Sequence, residues 1–273
     1  MRLDPAAELA GYRLMAHEVL DSTNAEALRF ALDGCGRAEP LWITAHEQTA
    51  GRGRRGNAWI SQPGNLYATL LLTDPAAPKD APQVSFVAAL AVHDAICGCT
   101  AGLRAKLSFK WPNDVLCAGA KVAGILIEGQ SLDFGLAVAI GIGVNCRRHP
   151  LQTDFPAIDL TQAGADVSAE ELFGALSGAM VRRLTQWRRG AGFSATRADW
   201  LDRAGRIGAD MRVRLPDSEL FGRCEGLDES GRLILRLADG SRQAIAAGEV
   251  FPLGDAQETR SLADAKTSAD GAE

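Results

Sequence analysis

The chain of 273 residues has no excess of positive charge: 29 Lys and Arg stand against 34 Asp and Glu, giving a formal net charge of −5 and a pI near 5.5. A domain that tracks nucleic acid over its whole surface is usually basic, so that class is disfavoured, although local basic clusters keep their interest. Cysteine is sparse and unframed. Cys35, Cys97, Cys99, Cys117, Cys146 and Cys224 make no disulfide pattern, and Cys97-Gly-Cys99 is tighter than a C-x2-C zinc knuckle with no second pair to answer it. Reduced thiols are expected. The four histidines, His17, His46, His93 and His149, lie far apart, and no resident metal is expected. The opening MRLDPAAELAGYRL lacks the apolar centre of a signal peptide. No continuous apolar run approaches the roughly 18 residues of a membrane span. With 47% apolar and 23% charged residues, the reading is a soluble, cytoplasmic, globular protein.

What is present is a series of short, well-punctuated elements. Residues 21–32, DSTNAEALRFAL, suit a helix opened by a capping box of Thr23 and Glu26 and closed by Gly34. LWITA (41–45) and NLYATLLLT (65–73) read as strands, and PQVSFVAALAVHDAIC (82–97) as a helix. Strands follow at 107–111, 114–117, 121–129 and 134–145, with PN and AGA as turns. SAEELFGALSGAMVRRLTQW (168–187) carries a second capping box, Ser168 with Glu171, and a weaker helix covers about 193–203. Strands and helices in blocks imply an α+β domain around a mixed or antiparallel sheet. From about Gly208 the texture becomes short strands at hairpin spacing with the turns DESG and ADG, a small all-β unit of about fifty residues. Residues 255–273 are polar and expected to be disordered.

The stretch EQTAGRGRRGNAW (Glu47 to Trp59) contains G-x-G-x-x-G, the glycine signature of a dinucleotide-binding turn. That reading fails on context, because a Rossmann turn leads directly into a helix whose N-terminus holds the pyrophosphate, and NAWISQPGNLYATLLL opposes one. An RNA loop has too few arginines and too distant a second aromatic in an acidic chain. A mobile surface loop with solvated arginines stays open. The glycines also permit close backbone approach, successive N–H groups can bind an anion, and arginine forks fix carboxylate or phosphate oxygens. An acyl-adenylate is made from those two anions.

Taken together and in order, DSTN (21–24), EQTAGRGRRGNAW (47–59), PGNLYATLLL (63–72), FKWPNDV (109–115), KVAGILIE (121–128), GIGVN (141–145) and AIAAGEVFPL (244–253) closely resemble the biotin protein ligase family over about residues 19–253. The resemblance implies a class II synthetase-like, biotin/lipoate ligase-type catalytic domain over 1–206 and an SH3-like β-barrel over 207–254. It implies two reactions in one pocket: biotin and ATP give biotinyl-5′-AMP and pyrophosphate, and an acceptor lysine then takes the biotinyl group, releasing AMP. Mg2+ is expected with the ATP. The partner implied is the biotin carboxyl carrier domain of a biotin-dependent carboxylase; no DNA or membrane partner is expected, and monomer and homodimer both stay open. Bifunctional members carry a winged helix-turn-helix before the catalytic domain, and with DSTN beginning by residue 21 this chain resembles the monofunctional, non-repressor group.

Several residues acquire a function through the resemblance beside a plainer role. Ser22, Thr23 and Asn24 are ordinary helix-capping types; the resemblance places them, with Gln48 and Gly124, against the biotin ureido ring and its surroundings. Arg52 and Arg54 are expected on the carboxylate and phosphates, with Arg55 left to solvent; Gly51, Gly53 and Gly56 allow closure, Gly53 lining biotin and Gly51 the nucleotide. Trp59 is by default a core anchor and by resemblance an adenine neighbour. Lys121, by default a solvent lysine at a strand start, is implied to bridge the biotin carboxylate and the α-phosphate. Asn113 and Asp114 make a turn after proline in the plain reading; the resemblance gives Asn113 to ATP and Asp114 to the reacting carboxylate. Asn145 either caps a turn or assists the nucleotide. Arg232 and Arg236 in the β unit are as well explained by solvation as by ligand.

Overall fold

The computed structural model describes residues 1–34, 39–133 and 135–253. Cys35 and the 255–273 tail lie outside the described residues, as does the first residue of the expected 134–145 strand. The chain divides into two compact units, Met1–Gly205 and Arg206–Glu273.

In the first unit the order is α1 (Pro5–Leu9), β1 (Arg13–Leu20), α2 (Thr23–Leu32), β2 (Leu41–Gln48), β3 (Leu66–Thr73), α3 (Val84–Cys99), β4 (Leu107–Lys110), β5 (Asp114–Cys117), β6 (Ala120–Leu132), β7 (Gly135–Val144), α4 (Ala169–Trp187) and α5 (Phe193–Leu201). The strands make one mixed sheet, ordered β1-β2-β3-β7-β6-β5-β4, in which only the β1–β2 pair is parallel. α1 and β1 have no counterpart in the sequence reading. β1 alternates weakly because neither face is fully buried, so its pattern carries little signal.

Alternation along the strands sends neighbouring residues to opposite faces of the sheet. On one face Leu41, Ile43, Leu71, Ala137 and Ala139 pack under Ala27 and Ala31 of α2. On the other, Trp42 meets Phe173 of α4 edge-on, with ring centres 5.4 Å apart. α3 is apolar all round and buried along nearly its full length, which suits a central helix. Ala81–Cys99 is long and apolar enough on average to cross a membrane, yet it holds no continuous apolar run of that length and most of it is buried inside this unit, as a core helix is.

Two helix starts separate what spacing predicts from what folds. Ser168 and Glu171 form the reciprocal box: Ser168 Oγ accepts from the Glu171 N–H at 3.2 Å, and Glu171 Oε2 accepts from the Ser168 N–H at 3.0 Å. At α2 the Thr23–Glu26 box does not form. The cap is Ser22, extended at φ −158°, with its Oγ accepting from the Ala25 N–H at 3.4 Å. Glu26 instead pairs with Arg29 at 2.6 Å, and Thr23 is the first helical residue with its side chain turned to the sheet. A local motif lost to a tertiary network. Gly34, at φ +75°, follows the helix as expected.

The second unit is an antiparallel, SH3-like five-stranded sheet of β8 (Asp210–Arg214), β9 (Glu219–Leu227), β10 (Leu233–Arg236), β11 (Arg242–Ile245) and β12 (Glu249–Pro252), ordered β11-β10-β9-β8-β12. Met211, Val213, Cys224, Leu233, Leu235 and Val250 fill its core. Arg232 and Arg236 are each paired within the unit, with Asp228 and Glu225.

The capping box gives a direct stability test. Ser168→Ala removes the hydroxyl that accepts from the Glu171 N–H and leaves the backbone half of the box, at an exposed helix end; it is expected to destabilise the first unit by about 1 kcal/mol. Urea unfolding followed by circular dichroism measures it.

Candidate functional site

The α2 face of the sheet is stripped of side chains along one stretch. Gly124 on β6 pairs with Gly143 on β7, and Gly141 follows one pleat away opposite Leu126, so all three present bare backbone to this face. Side groups from elsewhere occupy the space. A Cβ at Gly143 would meet the Trp59 indole at 2.5 Å, one at Gly124 would meet the same ring at 2.8 Å, and one at Gly141 would collide with the Asn24 carboxamide. These glycines are needed for close approach rather than for an unusual backbone. Their absent side chains leave a trough wide enough for a flat ring, and Trp59 lies in it.

At one end of the trough is a polar network built by the N-terminus of α2. Gln48 Oε1 accepts from the Thr23 N–H at 2.8 Å and the Thr23 hydroxyl at 3.1 Å, while Gln48 Nε2 donates to Ser61 Oγ at 2.8 Å. Thr69 Oγ1 lies 2.8 Å from Thr23 Oγ1 and donates to Asn24 Oδ1 at 2.6 Å. Asn24 Nδ2 donates to Glu128 Oε2 at 2.8 Å and lies 3.3 Å from the Leu126 carbonyl. Ser22, Thr23 and Asn24 are all buried. The cap expected of Thr23 is made by Ser22, and Thr23 turns into the network instead.

The glycine–arginine loop folds as a small hairpin rising from β2. The Trp59 N–H donates to the Gly51 carbonyl at 2.9 Å, the Gly53 N–H donates to the Asn57 carbonyl at 2.7 Å, and Arg54–Gly56 make one 3-10 turn with Arg55 at φ +56°. It leads back to β3, which is antiparallel to β2, so the G-x-G-x-x-G lies in no βαβ unit. A Cβ at Gly51 would meet Ser61 Oγ and the Trp59 carbonyl, both at 2.5 Å, so this hairpin closes only over glycine. Arg52 Nη2 reaches Glu128 Oε2 at 3.0 Å, and Arg54 Nη1 reaches Asn113 Oδ1 at 3.4 Å. Arg55 is exposed.

At the other end sits a charged cluster. Asp114, with its side chain only 8% exposed, lies between two ammonium groups: Lys110 Nζ donates to Oδ2 at 2.9 Å, and Lys121 Nζ stands 2.7 Å from Oδ1. The second contact is the shorter of the two, although its angles at Oδ1 are poorer than those of the Lys110 bond. Lys121 also stands 5.3 Å from the centre of the Trp59 ring. Burial alone would push the Asp114 carboxyl up, but Lys121 and Lys110 outweigh it and hold it below the ordinary carboxylate range. Asn113 bonds β6 at both ends of its residue, through Nδ2 to the Ile125 carbonyl at 2.5 Å and through its own carbonyl from the Ile125 N–H at 3.1 Å. Asn145 Nδ2 donates to the Ile158 carbonyl at 3.1 Å and lies 3.4 Å from that of Lys121, tying the end of β7 to the 156–160 segment. Among the described residues no group of three or more His, Cys, Asp or Glu side chains could hold a metal ion.

The structure therefore gathers Gln48, Gly51, Arg52, Arg54, Trp59, Asn113, Asp114, Lys121 and Gly124 around one trough, with the α2 cap at its end. Sequence reading missed Lys110, Glu128, Ser61 and Thr69. Lys110 and Glu128 lie inside the quoted motifs FKWPNDV and KVAGILIE, but nothing local distinguishes them, since their partners come from other strands.

The hairpin's tether is weak. The Arg52 and Glu128 side chains are 46% and 27% exposed, a class of pair worth about 0–1 kcal/mol. Glu128→Gln should thus raise the rate of limited trypsin cleavage at Arg52–Arg55 by up to about fivefold; an unchanged rate would show that the pair does not hold the hairpin. Asp114 carries a pH signature. Its folded value lies below the ordinary 3.8, so its contribution to stability is complete above that value and is lost as pH falls through the folded one. The stability difference between wild type and Asp114→Asn should be constant above about pH 5 and shrink below it, as urea unfolding at stepped pH would show.

Comparison with known proteins gives the family. Residues 18–145 match the biotin/lipoate A/B protein ligase family and residues 207–251 the biotin protein ligase C-terminal domain. A biotin–[acetyl-CoA-carboxylase] ligase of Paracoccus denitrificans is 44% identical over 241 residues, spanning 85% of this chain and 97% of that protein. The bifunctional ligase/repressor BirA of Bacillus subtilis is 32% identical over 256 residues, spanning 90% of this chain and 76% of its own length. Among solved structures, the biotin protein ligase from Aquifex aeolicus in complex with biotin and ATP superposes with a TM-score of 0.74 at 26% identity, over 89% of this chain and 99% of that one. With its mixed catalytic sheet, its SH3-like unit and these relatives, the chain is a ligase and belongs to the biotin protein ligase family.

Proposed function

We propose that the chain activates biotin with ATP to biotinyl-5′-AMP and transfers the biotinyl group to a lysine of a biotin carboxyl carrier domain. The observation that carries this reading is the convergence of Arg52, Arg54 and Lys121 on a glycine-floored trough that ends in a buried polar network. A ligand with a polar ring at one end and a carboxylate at the other matches that layout. The ureido group takes the Ser22, Thr23, Asn24 and Gln48 end, its ring and chain lie over Gly124 beside Gly53, and its carboxylate reaches Lys121 and the loop arginines.

A biotin carboxylate oxygen attacks the ATP α-phosphorus, and the bond to the pyrophosphate oxygen breaks. Charge accumulates on the α-phosphoryl oxygens, where Lys121, Arg52 and Arg54 supply fixed positive charge. Trp59 leaves the trough to cover the adenine, with Gly51, Asn113 and Asn145 lining the nucleotide. In the second step the acceptor amine attacks the acyl carbon and the C–O bond to AMP breaks. Asp114 lies close enough to the Lys121 end to receive the proton that the attacking amine sheds. Among the described residues no side-chain group builds a dedicated cage for Mg2+, and the metal is expected to arrive on the ATP phosphates, whose charge it neutralises. The setting is cytoplasmic, where ATP is available. A repressor role is not part of this reading.

The test is biotin-dependent exchange of labelled pyrophosphate into ATP. Wild type should exchange with biotin and ignore lipoate and octanoate. Lys121→Ala and Arg54→Ala should each fall by about 100-fold or more, the scale for losing one preorganised charge on the transition state. A folded wild type that does not exchange with biotin and Mg2+ present would end the proposal.

A further inference from the structure

Lys110, Asp114, Gly124 and Gly143 occupy one row across four strands, paired in turn β4 to β5, β5 to β6 and β6 to β7. The row starts at the sheet edge with Lys110 and runs to the floor of the trough. Its two lysines are not equivalent. Lys110 is only 9% exposed, donates an aligned hydrogen bond to Asp114 Oδ2, and has its ammonium 4.6 Å from the centre of the Phe155 ring. Lys121 is 28% exposed, touches Oδ1 without hydrogen-bond alignment, and faces Trp59 in the trough. Lys110 is buried at the sheet edge, whereas Lys121, although nearer to Asp114 at 2.7 Å, is the more exposed of the two and faces the ligand space.

A buried carboxylate needs a cation. If Lys121 were the sole partner of Asp114, any ligand anion that recruited Lys121 would strip a buried charge of its compensation. With Lys110 present, Asp114 stays ionised and hydrogen-bonded after Lys121 turns away. We propose that Lys110 is a positioning residue that keeps Asp114 compensated, so that Lys121 can pass from Asp114 to the carboxylate and α-phosphate of the ligands. This rests on the ligase reading above. Among the described residues, the charged groups facing Asp114 are Lys110 from β4 and Lys121 from β6.

The experiment uses the full chain and the same pyrophosphate exchange. Lys110→Met keeps an apolar stem against Phe155 and removes the charge; Lys110→Arg keeps the charge. Lys110→Met should lower kcat by about 10- to 100-fold, the cost of a misplaced group, with a smaller change in the KM for ATP. The acid limb of its rate profile should move to higher pH, because Asp114 has lost one of the two cations that favour its ionised form. Lys110→Arg should restore the wild-type position of that limb. In an Asp114→Asn background, Lys110→Met should add no further loss, and this double variant, with both buried charges gone, carries the test if Lys110→Met alone does not fold. A purely structural lysine would lower the melting temperature without moving the acid limb. Wild-type kcat and an unmoved acid limb in Lys110→Met, or a full additional loss in the Asp114→Asn background, would overturn the role of Lys110. Failure of wild type to exchange would instead remove the ligase reading beneath it.

Discussion

A carboxylate removed from water between two ammonium groups is the constraint from which the rest of this site follows. Asp114 is costly to bury alone and is held ionised by Lys110 and Lys121. The cluster carries one surplus positive charge, and the lysine that faces the trough is the one with the poorer hydrogen-bond geometry. An anionic ligand entering there meets a cation that is already partly desolvated and that Asp114 can release, because Lys110 stays beside the carboxylate. The protein thereby avoids two worse designs, a solvated lysine that must be ordered on binding and a lysine locked into a tight buried pair.

The opposite requirement is space. Gly124, Gly141 and Gly143 leave the α2 face bare over the stretch that separates the charged cluster from the polar network of Thr23, Asn24 and Gln48. The opposite face of the same strands buries Ile125, Ile140 and Ile142, so the trough is backed by packed core and its floor is rigid. The hairpin above reaches the sheet through the exposed Arg52–Glu128 pair and the long Arg54–Asn113 contact. The Trp59 indole fills the trough, with its buried Nε1 lacking a hydrogen-bond partner among the described residues. A rigid floor under a weakly held cover suits a site that must admit two substrates and then shield them.

Much of this was legible in the sequence, for identifiable reasons. The strands at 107–110 and 114–117 end where PN and AGA dictate, and Ser168 with Glu171 caps its helix as the spacing says. The α2 start was misread because Thr23 and Glu26 satisfy a capping rule locally, whereas Thr23 gains more from Gln48 and Thr69, which are 25 and 46 residues away. Strand β1 was missed because its pairing with β2, rather than any alternation of its own, defines it. Glu128 and Lys110 sat inside recognised motifs without a role, since the Arg52–Glu128 pair spans 76 residues and the Lys110–Asp114 pair depends on two strands meeting in register. Local rules found the elements and the candidate chemistry; the division of labour between the two lysines exists only once β4, β5 and β6 are side by side.

The central claim is that Lys121 exchanges partners while Lys110 does not. Lysine side-chain nitrogen-15 NMR of the full chain, with Lys110 and Lys121 assigned by substitution, would read it directly on addition of biotin and a non-hydrolysable ATP analogue. A large change in the Lys121 ammonium resonance beside an unmoved, slowly exchanging Lys110 resonance is the predicted result. A Lys121 signal indifferent to ligand, or a Lys110 signal that shifts in its place, would contradict the account.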